Sequence, residues 1–180
     1  MERLRLATVW LAGCSGCHMS FLDLDEWLLE LASFADLVFS PILDIKQFPE
    51  EVDATLVEGA VANEENLEML LTVRRRSKLL ISFGDCAVTG NVTALRNPLK
   101  TSQSVLDRSY LELADRNASL PSEPGILPVL LDRVEPLHAI VPVDYYLPGC
   151  PPSAAEIRVV LEALIAGRVP VLEGKQLKFG

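Results

Sequence analysis

Stretches of apolar and β-branched residues alternate with helix-patterned stretches along the chain, and this alternation limits the fold more than any other feature. Arg5 to Ala12 reads as a buried strand that stops at Gly13. Ser20 to Phe34 sets Phe21, Leu24, Leu28 and Leu31 at three- and four-residue spacing, the pattern of an amphipathic helix. Short strands follow at Asp36 to Phe39 and at Asp53 to Val57, the second stopped by Glu58-Gly59. Asn63 is placed to cap a helix through Val73, with Glu64, Glu65 and Glu68 toward its positive end. Lys78 to Phe83 reads as the next strand, Gly84 to Asn91 as a loop of turn residues, and Ser104 to Arg116 as a helix. Pro121, Pro124, Pro128 and Pro136 mark an irregular connection around 117–138, and Ala139 to Leu147 reads as the last strand. Pro151-Pro152-Ser153 opens a closing helix to Ala166, with Gly167 as its stop. Strands joined through helices run parallel with right-handed crossovers. The expectation is a single flavodoxin-like three-layer domain over residues 1–180, with a mainly parallel five-stranded sheet.

Ligands of such sheets gather beyond the carboxyl ends of the strands. Cys14, Cys86 and Cys150 each fall just after a predicted strand, as does Glu58, so separate strands deliver cysteine to one edge. Cys14-Ser15-Gly16-Cys17 is a C-x-x-C at a strand-to-helix turn, a spacing shared by thioredoxin-like centres, zinc knuckles and iron-sulfur ligands. A dithiol redox site needs no third or fourth thiol, and Cys86 and Cys150 are then surplus. Structural zinc takes two close pairs, a poor match to cysteines as far apart as Cys17, Cys86 and Cys150. A single [4Fe-4S] cluster takes four thiolates and recurs with a proline after the last, as at Cys150-Pro151, so it fits best. A phosphatase-like nucleophile would need an arginine six residues on, where Ser20 and Val92 stand. Flavin is disfavoured in this chain, since no G-x-G-x-x-G is present and the first turn already carries two cysteines. His18 could conduct protons or tune a cluster, but a histidine beside a turn reads more simply as a solvated or helix-start residue, and Arg74-Arg75-Arg76 reads as a helix C-terminus.

Composition removes other classes. The formal net charge of −9 repels phosphate backbones and anionic membrane surfaces, so nucleic acid is not an expected partner. No apolar run approaches the length of a membrane span. The opening Met1-Glu2-Arg3-Leu4-Arg5 carries neither an apolar export segment nor a cleavage site, which points to the cytoplasm, where four cysteines suit metal binding better than disulfides. A mean hydropathy of +0.27 is high for a small chain and points to a surface buried against a partner.

Four motifs in order, Val9-Trp10-Leu11 leading to Cys14-Ser15-Gly16-Cys17 and Ser20, Val57-Glu58-Gly59-Ala60, Gly84-Asp85-Cys86, and Pro148-Gly149-Cys150-Pro151-Pro152, resemble the small subunit of [NiFe] hydrogenases. Cys17-His18-Met19-Ser20-Phe21-Leu22-Asp23 is most similar to the cytoplasmic, NAD(P)-linked bidirectional type. The resemblance implies that Cys14, Cys17, Cys86 and Cys150 bind the proximal [4Fe-4S] cluster, next to a nickel-iron centre in a large partner subunit. It further implies flavin and iron-sulfur diaphorase subunits as onward partners, because no cysteine after Cys150 is available for a second cluster. Many relatives carry glutamate where Met19 stands, which leaves Glu58 as the matched carboxylate for a proton or hydrogen-bond role, or as an acceptor that orders its loop. Two other readings stay open: a subunit of a membrane-associated energy-converting hydrogenase or complex I-like module, and a zinc-stabilised interaction domain. Complex I proper shows adjacent cysteines at the first site, unlike Cys14 and Cys17.

Overall fold

The computed structural model describes residues 3–174; Met1 and Glu2 of the N-terminal reading lie outside the described residues. In chain order the elements are β1 (Leu4–Trp10), α1 (Gly16–Leu22), α2 (Trp27–Phe34), β2 (Ala35–Phe39), β3 (Val52–Glu58), β4 (Val61–Asn63), α3 (Glu64–Arg76) and β5 (Ser77–Phe83). There follow α4 (Asp85–Thr89), a 3-10 stretch (Asn91–Leu99), α5 (Ser102–Asp107) running into a π-helical turn (Arg108–Glu112), β6 (Leu130–Glu135), a 3-10 turn (Leu137–Ala139), β7 (Tyr145–Leu147) and α6 (Ala154–Ile165).

The large sheet has the order β2-β1-β3-β5-β7, and every neighbouring pair is parallel. Counted within that sheet alone this is the 2-1-3-4-5 order of flavodoxin-like folds, and the expected α/β architecture is borne out. Alternating strand residues feed two cores. Leu6, Leu56, Ile81, Phe83 and Leu147 meet Phe21, Trp27, Leu31, Ile157 and Leu161 of α1, α2 and α6 on one face. Ala7, Val9, Val57 and Leu80 meet Leu70 and Val73 of α3, with Leu137 and Val141, on the other. Burial on both faces explains why the strands read as near-continuous apolar runs.

Several elements differ from the sequence reading. The helix expected over Ser20–Phe34 is two helices, because Asp25 takes a left-handed φ of 50° between α1 and α2. The loop expected over Gly84–Asn91 contains the one-turn α4, too short for periodicity to show. α5 begins at Ser102, where Thr101 accepts the Ser104 N–H, and helical structure ends at Glu112 instead of Arg116. The connection around 117–138 holds a strand, β6, antiparallel to β4. Asn97 takes the place of a second neighbour for it, accepting the Val134 N–H at 2.8 Å and donating to the Val134 carbonyl at 2.9 Å. The last strand covers only Tyr145–Leu147, since the Asp144 side chain already occupies the ladder by accepting the Leu80 N–H at 2.7 Å. The prolines lie ahead of α6, whose cap is Ser153 in a capping box with Glu156.

Candidate metal centre

Four loops leave the carboxyl edge of the sheet side by side, because β1, β3, β5 and β7 are successive neighbours, and those after β1, β5 and β7 carry the cysteines. The loop after β1 carries Cys14 and turns at Ser15, whose φ of 64° starts α1 and places Cys17 within its first turn. Cys86 sits in α4 directly after β5, and Cys150 follows β7 in a segment with a cis Cys150-Pro151 peptide. All four thiols are free; Cys17 is buried, Cys86 half-buried, and Cys14 and Cys150 exposed. The loops touch through Cys17. A β-carbon on Gly84 would overlap the Cys17 sulfur and stand 3.4 Å from the Gly149 carbonyl oxygen, so only glycine fits between these two loops. Gly149, at φ 131°, presses against Pro152 so closely that an added β-carbon would lie 2.5 Å from the Pro152 Cα.

Three buried polar side chains tie the loops to one another. Glu58, at the end of β3, accepts the backbone N–H of His18 at 3.0 Å and also pairs with the His18 ring Nδ1. Asp85 accepts the Gly149 N–H at 2.7 Å while its own N–H donates to the Gly149 carbonyl at 2.9 Å, a reciprocal pair between the Cys86 and Cys150 loops. Ser20 Oγ donates to the Pro152 carbonyl at 2.6 Å, which fixes α1 to the Cys150 segment. Hydrogen bonds of this kind, shielded from water, are costly to break, because each leaves a buried group unsatisfied. The edge is therefore a braced frame before any ligand enters.

Two of the thiols are shifted by their surroundings. Burial pushes the Cys17 thiol up, and the Glu58 carboxylate and then Cys86, Cys14 and Cys150 push it further. Cys86 is raised by burial and by Cys150 and Cys14, opposed by hydrogen bonds involving Thr93 and Val92. Among the described residues, no three His, Cys, Asp or Glu side chains close on a point fit for one metal ion. Asn91 Nδ2 donates to Cys150 Sγ at 3.4 Å, so at least one sulfur already has a polar donor. An all-sulfur donor set suits soft metals and iron-sulfur clusters, and this set can hold such a group and exchange electrons through it.

The structure thus brings Cys14, Cys17, Cys86, Cys150 and Glu58 to one edge, as their places after the strands imply. His18 stands in the first turn of α1, as a helix-start residue, but it is buried instead of solvated, and among the described residues its Nε2 has no hydrogen-bond partner. A lone histidine beside a turn gives no sign of a carboxylate forty positions away. Asp85 and Ser20 bear on the site as well, although an acid after glycine reads as an ordinary turn residue. Arg74, read as a helix-end charge, reaches Asp144 at 2.6 Å and the Ser77 carbonyl at 2.8 Å, bracing the opposite end of the sheet.

The sequence matches the model of the family described as NADH ubiquinone oxidoreductase, 20 Kd subunit, over residues 14–164. It is 40% identical over 169 residues to the NAD-reducing hydrogenase HoxS subunit delta of Cupriavidus necator, a match covering 92% of this chain and 80% of that protein. It is 38% identical over 173 residues to a subunit of the F420-non-reducing hydrogenase of Methanothermobacter marburgensis, a match covering 92% of this chain and only 54% of that relative. The chain thus spans about half the length of the methanogen protein. A crystal structure of an NAD+-reducing [NiFe]-hydrogenase in the H2-reduced state contains a chain that superposes with a TM-score of 0.94 at 41% identity, covering 99% of this chain and 100% of that one. A [NiFeSe]-hydrogenase of Dm. baculatum, at 16% identity and a TM-score of 0.60, shares the fold over 92% of this chain and 63% of that one. The resemblance to small subunits of NAD-linked [NiFe] hydrogenases is borne out by these matches. With the family model matched over most of its length, the chain belongs to the family of the 20 kDa subunit of NADH ubiquinone oxidoreductase.

Proposed function

We propose that this chain is the electron-transferring small subunit of a cytoplasmic NAD(P)-linked [NiFe] hydrogenase, and that Cys14, Cys17, Cys86 and Cys150 hold one [4Fe-4S] cluster. In this reading the cluster lies proximal to the nickel-iron centre of a large partner subunit, and flavin and iron-sulfur diaphorase subunits take the electrons onward. The observation that carries the reading is that the loops after β1, β5 and β7 bring four free thiols to one edge of the sheet, where Glu58, Asp85 and Ser20 tie those loops together. When bound, the cluster supplies reversible one-electron storage. The chain's own residues do the rest. Cys17, seated against Gly84, anchors the buried side, while Cys14 and Cys150 hold the side that faces outward. Glu58 keeps the C-x-x-C turn in register by holding the His18 N–H, and Asp85 keeps Cys86 and Cys150 a fixed distance apart. The Asn91 amide donates toward the Cys150 sulfur, and donors of this kind shift cluster potentials upward by stabilising added negative charge.

The test is anaerobic reconstitution of the chain with iron and sulfide, followed by metal analysis, visible absorption and electron paramagnetic resonance after reduction. A full [4Fe-4S] complement is expected, and serine at any one of the four cysteine positions lowers iron content and alters the spectrum. Bound zinc with no visible absorption, or one serine variant with full iron and an unchanged spectrum, overturns the assignment.

A further inference from the structure

A groove of about 900 Å³ lies between the first turns of α3, the α5 segment with its π-helical turn, and the proline-bearing stretch 121–130. None of the residues lining it belongs to the cysteine loops. Its floor is apolar, formed by Leu106, Tyr110, Ile126, Leu127 and Leu130. Ile126 is 69% exposed and Tyr110 46%, values far from those of core side chains. Of the exposed large apolar side chains among the described residues, Tyr110, Ile126, Leu127 and Val129 all line this groove. Contiguous exposed apolar surface with a polar rim marks a protein contact.

The rim is of one sign. Glu64, Glu65, Glu68 and Glu123 line the groove, and among the described lining residues none is lysine, arginine or histidine. None of the four enters an ion pair within the described residues. Glu64 and Glu65 are accounted for by the positive end of α3. Glu68 lies a turn further on and Glu123 is on no helix, so the macrodipole explains neither.

We propose that this groove docks an amphipathic segment of another protein subunit, its apolar side on Tyr110, Ile126 and Leu127 and its lysines or arginines between the four carboxylates. Complementary charge steers such a segment and fixes its register, while the apolar floor supplies affinity. Anionic lipid and nucleic acid are repelled by the same rim. The run of consecutive basic residues in a second copy, Arg74-Arg75-Arg76, is largely engaged, Arg74 being held by Asp144 and Arg76 by Glu50 and the Phe48 carbonyl. The proposal does not depend on the metal centre.

The test uses the assembled complex purified with a photo-crosslinking amino acid in place of Tyr110, and the adduct is mapped by mass spectrometry. An adduct on a lysine- or arginine-bearing segment of a different subunit is expected. An adduct on a second copy of this chain, on lipid or on a segment without basic residues overturns the proposal, as does the absence of any adduct. Reversing charge with Glu68→Lys and Glu123→Lys together, which spares the first turn of α3, is expected to cut adduct yield about tenfold. Glu68→Gln with Glu123→Gln gives an intermediate loss and decides the matter if the lysine variant misfolds. Equal loss in a control with Glu30→Lys and Asp44→Lys, far from the groove, would show that only net charge mattered and would sink the idea.

Discussion

At the scale of single residues, the centre is governed by what stands beside Cys17. Gly84 has a φ of 83°, and its missing β-carbon leaves the place that the Cys17 sulfur takes. Gly84→Ala combines left-handed strain with overpacking against a braced loop, for an expected loss of about 2–5 kcal/mol. Urea unfolding of the metal-free chain measures this, and iron content after reconstitution should fall with it. Exposure also sets an order of reaction. In the isolated metal-free chain, iodoacetamide should label Cys14 and Cys150 first, Cys86 next and Cys17 last, since burial both hides Cys17 and keeps its thiol protonated. Time-resolved mass spectrometry of the labelled peptides reads that order directly. The cysteines were legible in the sequence because thiols are few and their spacing from strand ends is visible. His18 was not, because its partner Glu58 arrives from β3 through folding, and no local pattern links them.

At the scale of elements, side chains at the far end of the sheet lock neighbouring strands in register. Asp53 of β3 accepts the Arg5 N–H of β1 at 2.8 Å and pairs with Lys78 of β5 at 2.7 Å. Burial alone would raise its carboxyl, but the hydrogen bonds from Lys78 and Arg5 outweigh that and hold it below the ordinary carboxylate range. A depressed folded-state value contributes stability above the unfolded-state value, and that contribution is lost as pH falls through the folded-state one. Asp53→Asn should therefore be less stable than the parent at neutral pH, with the gap closing as pH drops below about 4. Denaturation midpoints of the two proteins across pH 2 to 7 measure it; a gap that is constant or widens in acid contradicts the assignment. The same side-chain devices explain why some elements depart from the sequence pattern. β6 needs only the three-residue β4 on one side because Asn97 serves the other, and Asp144 replaces the start of β7, so the strand read over Ala139–Leu147 shrinks to Tyr145–Leu147. The five main strands and α3 were legible because both faces of the sheet are buried and Asn63 caps where it should.

At the scale of the molecule, all four cysteines of the sequence stand at one edge, and none is left for a second thiolate site. Nickel sites of the hydrogenases that this chain resembles take four cysteine thiolates. The reconstituted chain alone is therefore expected to show no hydrogen-dependent dye reduction, and turnover without a nickel-bearing partner would refute the proposed division of labour. Among the described residues no helix is long and apolar enough to cross a membrane.

The strand order carries a consequence in time. β1 lies inside the sheet between β2 and β3 and β7 lies at its edge, and the thiols they deliver are more than a hundred residues apart in the chain. At ribosomal rates of about 5–20 residues per second, Cys14 and Cys17 emerge roughly 7 to 27 seconds before Cys150 does. Throughout that interval they form a bare dithiol, open to stray zinc or to oxidation. Parallel pairing between β5 and β7 is itself a late, long-range event in folding. The fourth thiol and its clamp to Asp85 arrive together with that last strand, so in the proposed reading insertion of the cluster is timed by the seating of β7.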